Sequence, residues 1–135
     1  MRFVDTNVLL YAISTDPNER RKNDIASEIL ADRDLALSTQ VLQEFYVQAT
    51  RLTRQDRLTH EQAAALVTAF GRYSVLPTSV ELVHAAMDTC QRYAISYWDA
   101  AIVEAARMSA CTELLSEDLT HGQSFGDLVV VNPFP

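Results

Sequence analysis

The feature that most constrains this chain is a rhythm of short apolar runs set between longer segments of helical periodicity. Arg2-Phe3-Val4, Leu35-Ala36-Leu37-Ser38, Ser74-Val75-Leu76, Thr112-Glu113-Leu114-Leu115 and Leu128-Val129-Val130-Val131 read as strands. Short apolar strands alternating with helices indicate βαβ units and a parallel sheet covered on both faces. With 135 residues, 48% of them hydrophobic, the chain suits one domain with a real core. A domain of this size hides roughly 68% of the surface its unfolded chain exposes. No repeat, low-complexity tract or linker interrupts it, so residues 1–135 are read as one α/β domain.

Helix signals fill the gaps between the strands. Thr6 or Asn7 can cap the helix after the first strand, and Asp5 itself is an alternative cap. Asp16-Pro17-Asn18-Glu19 reads as a turn opening a helix to about Leu30, with Pro17 tolerated in its first turn. Ser38 or Thr39 caps a helix from Gln40 to about Thr53 whose apolar face is Val41, Leu42, Phe45, Ala49 and Leu52. Thr59-x-x-Gln62 has the form of a capping box, opening a helix through Phe70 that Gly71 helps to end. Thr78-x-x-Glu81 repeats the pattern for a helix to about Tyr93. Ser96 caps a last helix to about Ser109, with Trp98, Ile102, Ala105 and Met108 as its buried stripe. His121 to Gly126 reads as a loop. His84 and Cys90 read as ordinary packing or surface residues.

Two cysteines, Cys90 and Cys111, in helix-like or apolar stretches look like small hydrophobes of a reducing compartment rather than a bridge or a zinc site. No run approaches a membrane span and no signal peptide is evident, so a cytoplasmic protein with no membrane partner is expected. Eighteen acidic against eleven basic residues give a net charge of −7, which argues against tight non-specific nucleic-acid binding. The distribution weakens that objection. Glu19-Arg20-Arg21-Lys22 and Arg51/Arg54/Arg57 gather six of the eleven cations into two short segments.

The acids carry the chemistry. Asp5 and Asp118 end strands, while Glu44 and Asp99 lie near helix starts, each on the flank of its apolar stripe. Each has an ordinary reading: a cap for Asp5, an exposed helix glutamate for Glu44, a dipole-favoured first-turn charge for Asp99. In a parallel sheet with these connections, all four can reach one crevice at the carboxyl edge. Two unit charges ~5 Å apart repel by roughly 3 kcal/mol at an effective dielectric of about 20, so an unpaired cluster is costly. With no lysine nearby in sequence, the natural solution is a hard divalent cation, Mg²⁺ or Mn²⁺.

Val4-Asp5-Thr6-Asn7-Val8-Leu9-Leu10, Glu44, Ser96-Tyr97-Trp98-Asp99-Ala100, Leu115-Ser116-Glu117-Asp118-Leu119 and Val131-Asn132-Pro133-Phe134 together resemble a PIN domain, and more narrowly a small VapC-type toxin. The resemblance spans the chain in motif order and spacing. It implies a metal-dependent endoribonuclease in which Asp5, Glu44, Asp99 and Asp118 form the acidic set around one or two Mg²⁺ or Mn²⁺ ions. Asp5 and Asp99 are then principal ligands. Thr6 and Ser116 take the places of supporting hydroxyls, and Asn7 that of the amide orienting Asp5. Glu117 is read as a solvated neighbour of Asp118. The resemblance further implies cleavage of tRNA or rRNA to leave a 5′-phosphate, a cognate antitoxin as partner, and a homodimer. Phe70 and Tyr73 are candidate contributors to the dimer if exposed, with core packing preferred for Phe70. Arg51, Arg54 and Arg57 either line the RNA approach, face a partner, or form a solvated cationic face.

Other classes fit less well. A haloacid-dehalogenase-like phosphatase would want a second aspartate at position 7, which is Asn, and a response-regulator receiver would want a lysine after the strand ending at Leu115. A catalytically inactive PIN-like partner-binding module has no reason to gather unpaired carboxylates.

Overall fold

The computed structural model describes residues 1–135. Six strands form one sheet: β1 (Arg2–Val4), β2 (Leu35–Ser38), β3 (Ser74–Leu76), β4 (Glu113–Leu115), β5 (Ser124–Phe125) and β6 (Leu128–Val131). Their spatial order is β3-β2-β1-β4-β6-β5, and only the β5–β6 pair is antiparallel. The helices are α1 (Thr6–Ala12), α2 (Arg20–Leu30), α3 (Thr39–Ala49), α4 (His60–Phe70), α5 (Val80–Tyr93) and α6 (Tyr97–Met108), with a 3₁₀ turn at Pro17–Glu19 leading into α2. All of β2 is buried, as a strand covered on both faces requires, so its apolar run shows no alternation. Phe3, Leu37, Phe45, Leu114 and Phe125 are among the fully buried side chains of the core.

Leaving β1, the chain builds outward through β2 and β3, then returns to β4 on the other side of β1. That reversal is a topological switch point, and open sheets hold their ligand crevices beyond the carboxyl ends of such a pair. Hydrogen bonding continues past the strands there. The Asp5 amide donates to the Leu115 carbonyl at 3.0 Å and the Ser116 amide to the Val131 carbonyl at 3.1 Å. Residues 5 and 116 thus emerge side by side.

Local sequence sets most boundaries. Ser38, Thr59, Ser79 and Ser96 each accept a hydrogen bond from an amide in the first turn of the helix that follows. Thr59 and Gln62 form the expected reciprocal box. At the start of α5 the cap is Ser79 rather than Thr78, so Thr78 and Glu81 make no box. Asp5, not Thr6 or Asn7, caps α1.

Tertiary packing overrides the pattern in other places. Helix α3 stops at Ala49, four residues early, because the Leu58 amide folds back onto the Ala49 carbonyl at 2.8 Å. Leu52 is therefore outside the helix and 82% exposed. On α6 the buried stretch runs unbroken from Ala100 to Ala106, where four alanines permit close approach to α5 and β2. Trp98 and Met108 lie outside that enclosed stretch and are exposed, correcting their place in the apolar stripe. The expected loop from His121 to Gly126 contains β5, a two-residue strand joined to β6 through Gly126 and Asp127, with Gly126 at φ 63°. A glycine opening a two-residue link is a hairpin signal that the sequence already contained.

Phe70 and Tyr73 are both buried, which removes them from any dimer surface. Phe70 packs edge-on against Phe45, and the Tyr73 hydroxyl donates to the Leu30 carbonyl. Cys111 is buried, Cys90 half-buried, and both are free thiols. No helix is long and apolar enough to cross a membrane.

Candidate active site

Asp5 follows the last residue of β1 and is 5% exposed. Its Oδ1 accepts the Thr6 amide at 2.7 Å and its Oδ2 accepts the Ser116 hydroxyl at 2.8 Å. The capping and functional readings of Asp5 are thus compatible: the cap orients the carboxylate. Burial raises its pKa to about 7, against the lowering effect of those two hydrogen bonds and with the charges of Asp118 and Glu44 adding to the rise. The environment that disfavours its charge includes two other carboxylates.

Those two are tied to Asp5 through short polar side chains. Thr6 Oγ1 donates to Glu44 Oε2 at 3.2 Å, and Gln40, one helical turn before Glu44 on α3, donates to its Oε1 at 2.6 Å. On the other side, Asn7 Nδ2 donates to Asp118 Oδ2 at 3.3 Å and to the Ser116 hydroxyl at 3.4 Å. Ser116 Oγ also accepts the Asp118 amide at 3.1 Å, and Asn7 Oδ1 accepts the Glu117 amide at 3.4 Å. Ser116 is fully buried and anchors the loop after β4 to Asp5. Asn7 contacts Asp118, the Glu117 backbone and Ser116, so it reaches Asp5 only through the Ser116 hydroxyl.

Asp99 stands in the first turn of α6, its amide held by Ser96 Oγ at 3.0 Å. Its carboxylate makes no hydrogen bond to the other three. The link to that side of the site runs through the backbone: Gln40 Nε2 donates both to Glu44 and, at 3.2 Å, to the Trp98 carbonyl. None of Asp5, Glu44, Asp99 and Asp118 belongs to an ion pair; the ion pairs lie elsewhere. No three acids converge on one point as a ready-made cage.

Glu117 is not a solvated neighbour. Lys22 of α2 reaches it at 2.7 Å, the Tyr11 hydroxyl donates to its other oxygen, and the Lys22 ammonium donates to Tyr11 at 3.1 Å. Partial burial works to raise the Glu117 pKa, but the bonds from Lys22 and Tyr11 outweigh it and hold the carboxyl low. This neutralised glutamate contrasts with unpaired Asp118 beside it. Sequence reasoning missed the pair because the partners are ninety-five residues apart. Gln40 was legible, since residues four apart share a helix face.

The three arginines separate. Arg54 is mostly buried, 3.0 Å from Asp56, and its guanidinium donates to the Leu10 carbonyl at 3.5 Å. Asp56 in turn accepts the Thr15 amide at 2.8 Å. Arg54 therefore ties the segment after α3 to α1 rather than forming part of a free cationic face. Arg51 and Arg57 are exposed.

Fold and site together define an open, mainly parallel-sheet protein with unpaired acids at its switch point. The chain belongs to the PIN domain family, whose model matches residues 2–121. No curated protein matches it in sequence. Among solved structures it is similar to a toxin–antitoxin complex from Klebsiella pneumoniae, at 19% identity and TM-score 0.74, covering 99% of this chain and 98% of that one. It is similar to Mycobacterium tuberculosis VapC20, described as a sarcin-ricin loop cleaving toxin, at 18% identity and TM-score 0.68, covering 87% and 90%. FitAcB from Neisseria gonorrhoeae is similar at 19% identity and TM-score 0.64, covering 99% of each chain. At such identities the likeness establishes the shared fold.

Proposed function

We propose that this chain is a metal-dependent endoribonuclease, the toxin of a toxin–antitoxin pair. One observation carries the reading: buried Asp5, with Glu44 and Asp118 tied around it, has no cationic partner in the protein. Stability alone gives no reason to gather such charges, because a buried carboxylate must be paired, neutralised or bound to a cation. The donor set fits a hard divalent ion, Mg²⁺ or Mn²⁺, one or two per site, since every candidate ligand is an oxygen. Asp5 and Asp99 are the principal ligands in this reading, with Glu44 and Asp118 completing the set.

When bound, such an ion supplies Lewis-acid activation of water and offsets the charge of the scissile phosphate. The protein's own groups fix the geometry. Ser116 and the Thr6 amide engage both oxygens of Asp5 and set the plane of its carboxylate. Thr6 and Gln40 hold Glu44 by one oxygen each, and Asn7 steadies Asp118. A pKa of about 7 leaves Asp5 only partly ionised at neutral pH, and positive charge at the site would favour its charged form. The product is an RNA cut by phosphodiester hydrolysis, leaving a 5′-phosphate, with tRNA or rRNA as target.

The partner is a cognate antitoxin, a reading supported by the toxin–antitoxin complex among the structural neighbours. Homodimerisation and a cytoplasmic location complete the proposal. The test is cleavage of total cellular RNA by the purified chain with Mg²⁺ or Mn²⁺, with EDTA, and with Asp5→Asn as control. Discrete fragments that vanish under both controls are expected. Absence of cleavage, together with no divalent-ion binding by calorimetry, would overturn the reading in favour of a partner-binding module.

A further inference from the structure

Trp98 is the one aromatic among the exposed large hydrophobic side chains. It is 66% exposed although it immediately precedes the enclosed face of α6 and the acid Asp99. An exposed indole contributes little to folding. Its position is nonetheless fixed: Tyr97 packs against it edge-on at 5.0 Å, and its carbonyl accepts from Gln40, which also holds Glu44. Beside it lies a shallow recess of about 420 Å³ lined by Gln40, Gln43, Glu44 and Trp98.

We infer that Trp98 and this recess form a subsite for an unpaired nucleobase of the RNA, which stacks on the indole beside the acidic site. The inference rests on the ribonuclease reading and deepens it by naming how substrate is held. Three of the four lining residues are polar, which suits a heterocycle with donors and acceptors at its edge better than an aliphatic anchor. Gln43 is exposed and presents an amide with both a donor and an acceptor. The electrostatics point the same way. With a net charge of −7 the chain has few cations to set against phosphates, so base contacts add affinity that electrostatics supplies weakly. Stacking does so for every base, because each has a π-face. A base in a duplex has both faces occupied by its neighbours, so the subsite selects single-stranded or looped RNA.

Trp98 is the only tryptophan in the chain, so intrinsic fluorescence reports on this residue alone. The experiment titrates the Asp5→Asn protein, in Mg²⁺, with a fluorescently labelled single-stranded RNA pentanucleotide, an abasic ribose-phosphate of equal length, and a duplex. Binding is read by anisotropy, and quenching is read with unlabelled copies. The expected result is quenching by the single strand alone. Adding Trp98→Ala should weaken anisotropy-detected binding roughly tenfold to a hundredfold, with Trp98→Phe retaining most of it. Equal quenching by the abasic chain, or unchanged affinity in Trp98→Ala, overturns the subsite while leaving the ribonuclease reading intact. RNA that binds neither protein overturns the subsite and leaves the ribonuclease reading to the cleavage assay. Fluorescence that changes with protein concentration alone, with Trp98→Ala lowering the sedimentation mass, assigns the indole to a contact between copies and also overturns the inference.

Discussion

Ser116 Oγ donates to Asp5 Oδ2 at 2.8 Å across 111 positions of sequence, and both residues are buried at the switch point of the sheet. The same hydroxyl accepts from Asn7 and from the Asp118 amide. One small side chain therefore sets the spacing between the two strand-end acids. Ser116→Ala should lower stability by about 1–3 kcal/mol, the range for a buried partner left unsatisfied. It should also reduce RNA cleavage, and a thermal melt alongside initial rates checks both. Unchanged rates would show that Asp5 keeps its orientation without the serine.

Asp5 gives the metal-free protein a distinctive pH dependence. Its folded-state pKa rises from 3.8 to about 7 through burial, so between those values the folded chain holds a proton that the unfolded chain has lost. Stability must then fall as pH rises through that window, with the full cost reached above about pH 7. The cost is as much as about 4 kcal/mol at 1.36 kcal/mol per pH unit. Melts in EDTA from pH 5 to 8 should show this decline. Asp5→Asn should flatten it, melt higher than wild type at pH 8, and cleave no RNA. A flat wild-type profile would contradict the burial of this charge.

The Lys22–Glu117 pair pins the loop that carries Asp118 to helix α2. Both side chains are about one-third exposed or less, at 34% and 26%, so their worth to stability is modest, about 1 kcal/mol or below. The larger effect of Lys22→Met should be on geometry. Amide exchange at Ser116 to Asp118 should quicken, and RNA cleavage should fall roughly tenfold, within the range that small misplacements produce. Exchange rates like those of wild type would show that the Asn7 and Ser116 contacts suffice.

The arginines near α3 should divide by role. Arg54→Ala removes a mostly buried guanidinium that bridges Asp56 and the Leu10 carbonyl, and should cost about 1.5–3 kcal/mol. Arg51→Ala and Arg57→Ala should shift stability by less than about 0.5 kcal/mol, as surface substitutions do. If those two exposed arginines line the RNA approach, their joint loss weakens binding and flattens its salt dependence. Anisotropy titrations at two salt concentrations decide between an RNA contact and a solvated face.

The sequence by itself determined most of the elements and singled out Asp5, Glu44, Asp99 and Asp118 as candidates. Runs such as Leu35 to Ser38 are short, apolar and bracketed by helix signals, so they read as buried strands, and Ser38, Thr59 and Ser96 fix helix starts by hydrogen bonds that span only three residues. Such signals are local, so they survive in a one-dimensional reading. The tertiary structure decided what depends on distant neighbours. It buried Tyr73 and left Trp98 and Leu52 exposed. It turned Glu117 into a paired charge and Arg54 into a tie to α1, leaving Asp118 and Asp5 without a cation. Periodicity describes one helix face at a time; where a helix leaves its cover, and which charge meets which, depends on segments brought together only by folding.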